Sequence, residues 1–146
     1  MKDRLGNRPA RILVVDPEDW CRDFLTSVIR LCGLQDFTMV ASVAEALQAL
    51  EASAFDLLIT DFSLAEQQRF LEICRHRDPT MRVIFMLQKR SVVSHMVYLE
   101  HSDYVFKPLC LDEIVRKIRD ALHQKHLRRA EEELRRLKQT AFRFLG

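Results

Sequence analysis

The stretch RILVVDP, Arg11 to Pro17, decides how the chain is read. It is a short, apolar, β-branched run that stops at an acid and a proline. Runs of this kind form strands covered on both faces, and proline suits a first helical turn. Downstream, Trp20, Phe24, Val28 and Leu31 recur at helical spacing beside Leu25, Ile29 and Cys32, and Gly33 offers a left-handed cap. Strand and helix then keep alternating. Phe37 to Val40 reads as a second strand, and Ser42-Val-Ala-Glu45 is a capping box opening a helix through Ala46, Leu47, Ala49 and Leu50. A third strand, FDLLIT, ends at Asp61, and the helix marked by Phe70, Leu71, Ile73 and Cys74 stops at Asp78-Pro79. Val83 to Leu87 is a fourth strand, Val92–Leu99 a weaker helix, and Tyr104 to Phe106 a fifth strand. Leu111, Ile114, Val115, Ile118 and Leu122 form the inner stripe of a fifth helix.

Apolar strands separated by amphipathic helices predict a parallel sheet covered on both faces, a three-layer α/β sandwich. Such sheets bind ligands beyond the carboxyl ends of their strands. Three of those ends carry ionisable residues, Asp16, Asp61 and Lys107, which should converge on one rim. Two carboxylates held close repel unless a cation lies between them. Asp61 then suits a nucleophile toward a phosphoryl group, with Asp16 helping to hold Mg²⁺ and Lys107 neutralising phosphate oxygens. Taken singly, the three residues would be a helix cap, a loop acid and a surface charge.

Composition bounds the alternatives. The 146 residues, 48% hydrophobic and 30% charged, suit one domain with an appendage. No apolar run approaches the roughly 20 residues of a membrane helix, which predicts a soluble, unexported, cytoplasmic protein without membrane partners. Cys21, Cys32, Cys74 and Cys110 lack CxxC spacing and read as reduced thiols. Net charge is +2, and residues 112–146 carry 10 basic against 6 acidic side chains. Those charges alternate in sign and Glu131–Glu133 interrupts any basic stripe, so nucleic acid is not the expected partner. An enzyme using Asp61 as nucleophile needs a nearby general acid, which neither Phe62 nor Ser63 supplies.

Taken together, ILVVD, DLLITD and YVFKP resemble the response-regulator receiver family of two-component signalling, across residues 10 to 124. The resemblance implies a flavodoxin-like (βα)5 fold with strand order 2-1-3-4-5 and a non-enzymatic role in a phosphorelay. It also implies a sensor histidine kinase or phosphotransfer protein as partner. It makes Asp61 the phosphoacceptor, Lys107 the phosphate-contacting lysine and Tyr104 the switch aromatic, and it suggests a cis Lys107-Pro108 bond. The departures fall on the same rim. Pro17 stands where the family has a second, Mg²⁺-ligating acid. Glu18 or Asp19 would have to reach inward, and the 100° turn per helical residue points Glu18 elsewhere unless the loop adapts. Leu87 replaces the Thr or Ser whose hydroxyl couples phosphate to the switch. The loop FSLAEQQRF lacks the usual Met-Pro and Asp-Gly elements, and the segment between Leu87 and Lys107 is short. The expectation is an atypical receiver with Asp16, Glu18 and Asp61 as a weakened Mg²⁺ site and an impaired switch. Its alternative is a phosphorylation-independent pseudo-receiver acting as an interaction platform.

The domain reading is a tail at 1–8, a receiver at 9–124 and a helical extension at 125–146. HQKHLRRAEEELRRLKQTAFRFL continues with strong helix formers, and Leu127, Ala130, Leu134, Leu137, Ala141 and Phe144 alternate at steps of three and four, a heptad seam. The five-residue step from Leu122 to Leu127 is a rotation of about 140°, so the seam cannot pack on the domain's own core. A second copy of the helix is its simplest partner, giving a homodimer, and the helix also suits a linker to an output domain in a larger regulator.

Overall fold

The computed structural model of the chain describes residues 9–61, 63, 67–88 and 102–145. Within them run β1 (Arg11–Val15), α1 (Asp19–Leu31), β2 (Asp36–Val40), α2 (Val43–Ala52), β3 (Leu57–Asp61), α3 (Gln67–Arg77), β4 (Arg82–Leu87), β5 (Ser102–Phe106) and α4 (Leu111–Leu145). The helix expected over Val92–Leu99 lies outside the described residues. The strands form one sheet, every neighbouring pair parallel as the alternation of elements predicts, in the order β2-β1-β3-β4-β5 that the family resemblance implies.

The period of two along each strand divides the core into two layers. Ile12, Val14, Leu57, Ile59, Ile84, Met86 and Val105 pack with α1 and α4. Leu13, Val15, Leu58, Val83, Phe85 and Leu87 pack with α2 and α3. With both faces covered, β1, β3 and β4 are apolar almost throughout, which is why they read as continuous runs.

Local signals hold the helices in place. Gly33, with φ of +80°, closes α1 in a Schellman motif: its N–H donates to Arg30 O, and Leu34 N–H donates to Ile29 O. At α2 the Ser42 hydroxyl accepts from Glu45 N–H at 3.2 Å, and Glu45 Oε2 accepts in return from Ala41 N–H at 2.7 Å. The stripe of α1 differs from the expected one. Its buried residues are Cys21, Leu25, Val28 and Ile29, while Trp20 is 49% and Leu31 63% exposed. Counting from a helix that starts at Asp19, Trp20 and Leu31 lie to the side of the face that meets the sheet.

The last helix runs unbroken through residue 124. Its buried positions Ile114, Ile118 and Ala121 are followed on the same face by Lys125, which is 3% exposed and donates to the Asp78 carboxylate and to Thr80 Oγ1 at 2.7 Å. Burial pulls the Lys125 ammonium below its usual pKa more than the Asp78 carboxylate restores it. One turn further, Arg129 pairs with Asp56, whose other oxygen accepts the Arg11 N–H at 2.8 Å. Asp56 thus ties α4 to the start of β1. Arg129 is too exposed for its ion pair to weigh much, but the Arg11 amide depends on the buried carboxylate. Asp56→Ala is expected to cost about 2 kcal/mol through that orphaned donor, a fall in Tm of roughly 4–8 °C by thermal unfolding.

Candidate functional site

The carboxyl ends of β1, β3 and β5 meet at one rim. Asp16 follows β1 and remains held to the sheet, its N–H donating to Val40 O at 3.0 Å. Its side chain is fully buried, and Oδ1 accepts the Glu18 N–H at 2.8 Å, which folds the chain over Pro17. Asp61 is the last residue of β3 and 1% exposed. Lys107 follows β5, fixed by its N–H to Leu87 O at 2.7 Å, and the Lys107-Pro108 bond is cis. The Lys107 ammonium reaches inward and lies 2.8 Å from Asp16 Oδ2, 2.9 Å from Asp61 Oδ2 and 3.1 Å from Glu18 Oε1.

Glu18 corrects an expectation of the sequence. Helical rotation was expected to turn it away, yet it is not helical: it caps α1 with extended backbone, φ −92° and ψ 122°. The Asp16 turn and the fixed φ of Pro17 carry its side chain back over the rim. Carboxylate oxygens of Asp16, Glu18 and Asp61 all come within 4.8 Å of one another. Asp19, the other proposed substitute, faces Arg22 instead.

Two further residues belong to the site and were not legible as such. Ser63 satisfies the second Asp61 oxygen twice, through its N–H at 2.8 Å and its hydroxyl at 2.6 Å. An acid followed two residues on by serine was the available signal. Trp20, assigned from its spacing to the apolar stripe, instead donates its indole N–H to Glu18 Oε2, and the Lys107 ammonium sits 5.7 Å from its ring centre.

Charge follows this geometry. Burial pushes the Asp61 carboxyl upward, but Lys107 and the Ser63 donors outweigh it and hold Asp61 below the usual carboxylate range. The Trp20 hydrogen bond and then the Lys107 ammonium lower Glu18 in the same way. For Lys107, burial favours the neutral amine, and the facing carboxylates overcome this and raise its pKa. Asp61 is therefore an oriented carboxylate held beside the Lys107 ammonium. The cluster offers hard, anionic oxygens, the donor set Mg²⁺ takes, so Asp16, Glu18 and Asp61 fit such an ion. A bound Mg²⁺ supplies charge neutralisation at phosphoryl oxygens.

Leu87 and Tyr104, the positions the resemblance assigns to a switch, lie in the layer facing α2 and α3. Leu87 is 1% exposed in that apolar cluster, and Tyr104 packs at its margin, edge-on to Phe106 with ring centres 5.6 Å apart. Lys117 stands 5.1 Å from the Tyr104 ring and donates to the Tyr104 carbonyl at 2.7 Å.

Fold and rim together define a flavodoxin-like α/β module with an acidic, lysine-bearing site at the carboxyl ends of its strands. Residues 12–119 match the family model of the response regulator receiver domain, and the chain belongs to that family, whose members are signalling modules rather than enzymes. Receiver domains bind Mg²⁺ and interact with histidine kinases. Solved structures agree on the fold. The response regulator receiver protein from Sinorhizobium medicae superposes with a TM-score of 0.70 at 19% identity, over 81% of this chain and 98% of that one. A CheY-like receiver domain protein from Methanospirillum hungatei gives 0.70 at 23% identity, over 83% and 99%. NtrX from Brucella abortus gives 0.77 at 22% identity, over 87% of this chain and 30% of the other. No curated protein matches the chain by sequence. No helix among the described residues is long and apolar enough to cross a membrane.

Proposed function

We propose that this receiver domain accepts a phosphoryl group on Asp61 in a cytoplasmic phosphorelay, with Asp16, Glu18 and Asp61 holding Mg²⁺ and Lys107 facing the phosphoryl oxygens. The observation that carries this reading is the return of Glu18 to the rim, which supplies a third carboxylate although Pro17 has none. An Asp61 oxygen attacks phosphorus, the P–N bond of a phosphohistidine on a sensor kinase or phosphotransfer protein breaks, and the leaving imidazole takes up a proton. Lys107 balances charge on the group transferred.

The response differs from the family pattern. Leu87 has no hydroxyl to follow the phosphoryl oxygen and draw Tyr104 inward. Output therefore passes through the helical extension, residues 125–146, which pairs with a second copy and can link to an output domain of a larger regulator. A second reading, a pseudo-receiver working without phosphorylation, is favoured by one observation: the Lys107 ammonium already contacts all three carboxylates. Incubation with Mg²⁺ and acetyl phosphate separates the two. Intact mass is expected to rise by one phosphoryl group, and the gain to vanish in Asp61→Asn and under chelation. An unchanged mass under all conditions would establish the pseudo-receiver.

A further inference from the structure

Trp20 is the chain's one tryptophan, half exposed in the first turn of a helix whose buried face it does not share. Core packing does not account for it. Its polar contact does: the indole N–H, a group that can only donate, is spent on Glu18 Oε2. That leaves Oε1 as the oxygen turned to Lys107, 3.1 Å away. Glu18 needs such a partner more than Asp16 or Asp61 do. Those two are short side chains buried at strand ends, each held by a backbone N–H, whereas the Glu18 side chain is longer and 36% exposed. Unrestrained, it would sample many rotamers in solvent. The ring is restrained in turn by the Lys107 ammonium over its face.

We propose that Trp20 is a positioning residue that presents the Glu18 carboxylate to a divalent cation, and so restores the metal site that Pro17 leaves one acid short. The proposal rests on the reading of Asp16, Glu18 and Asp61 as a cation site. Partners that orient a metal ligand typically change affinity by 10- to 100-fold, and a single hydrogen bond to an otherwise mobile carboxylate belongs at the low end.

The test is calorimetric titration of the full chain with Mn²⁺, in wild type, Trp20→Phe, Glu18→Gln and the double variant. Trp20→Phe is expected to weaken Mn²⁺ binding about tenfold, with Tm changed little because the residue is half exposed. If Trp20 acts only through Glu18, the double variant binds no more weakly than Glu18→Gln alone. In wild type, Mn²⁺ should quench the indole emission along the calorimetric curve. Losses that simply multiply in the double variant, or an unchanged Trp20→Phe affinity beside a wild type that binds, would overturn the role of Trp20 and leave the cation site standing. A wild type that binds no Mn²⁺ would overturn both.

Discussion

Replacing Lys107 with methionine is expected to cost about 3–5 kcal/mol of stability at neutral pH, the usual consequence of removing one partner from buried ionised groups. Methionine nearly matches lysine in volume, so a cavity is not the cause. The cause is charge, since Asp16 and Asp61, with side chains 0% and 1% exposed, would face each other and Glu18 without a cation. In wild type, Asp61 has a pKa below its unfolded value. Its contribution is present above the ordinary carboxylate pKa and lost as pH falls through the lowered one. Lys107 has a raised pKa, so its contribution is complete below the ordinary lysine value and lost only as pH rises through the raised one. The site is thus indifferent to pH around neutrality. In Lys107→Met the Ser63 donors remain but the ammonium does not, so the Asp61 pKa rises and the deficit in stability relative to wild type should shrink as pH falls. Urea unfolding from mildly acid to neutral pH, with and without Mg²⁺, measures this. The variant should be rescued by acid and by Mg²⁺, and equal stability of variant and wild type at neutral pH would remove the neutralising role from Lys107.

Leu134→Glu combined with Leu137→Glu is expected to convert a dimer into a monomer. Both leucines are more than half exposed, and Leu127 is nearly so. Lys125 and Arg129, which dock α4 on the domain, each lie two residues from Leu127, about 200° of helical rotation away. At Leu127 the domain therefore occupies the far side of the helix, and the exposure of Leu134 and Leu137 leaves the seam accessible to a second copy. In a parallel pair, Glu133 of one helix and Lys138 of the other fall at facing g and e positions, an attraction that favours this register. The double substitution places four carboxylates in one seam. Light scattering should report a dimer for wild type and a monomer for the variant, and the same monomeric mass for both would discard the dimer.

Much of this was visible in the residues. The parallel sheet and the meeting of Asp16, Asp61 and Lys107 follow from alternating apolar runs, three of which end on an ionisable group, whereas the strand order comes from the family resemblance. Glu18 was misjudged because Pro17 suggested that the helix had begun, whereas α1 starts at Asp19 and the residue before it keeps extended backbone. Trp20 was misassigned because apolar character at helical spacing counts as core, and spacing does not register an indole N–H with a carboxylate beside it. The docking of the extension was missed for the converse reason. Lys125 continues the stripe of Ile114, Ile118 and Ala121, but as a charge it reads as solvated, and its partner Asp78 is distant in sequence. Pattern recognition from hydropathy does not see burial achieved through ion pairing.

Held to the domain from Leu111 to the buried Lys125, with Arg129 one turn further, α4 continues past Arg129 as an arm nearly as long as the part that is docked. From Arg129 to Leu145 the axis extends about 24 Å at helical rise, so a tilt of about 10° at Arg129 sweeps the tip through roughly 4 Å. Asp56 and Asp78 lie at the opposite edge of the sheet from the acidic rim, at the starts of the strands that Asp61 and Leu87 end. An adjustment of β3 or β4 that tilted α4 by that angle would therefore be read at the far end as a displacement the size of a side chain.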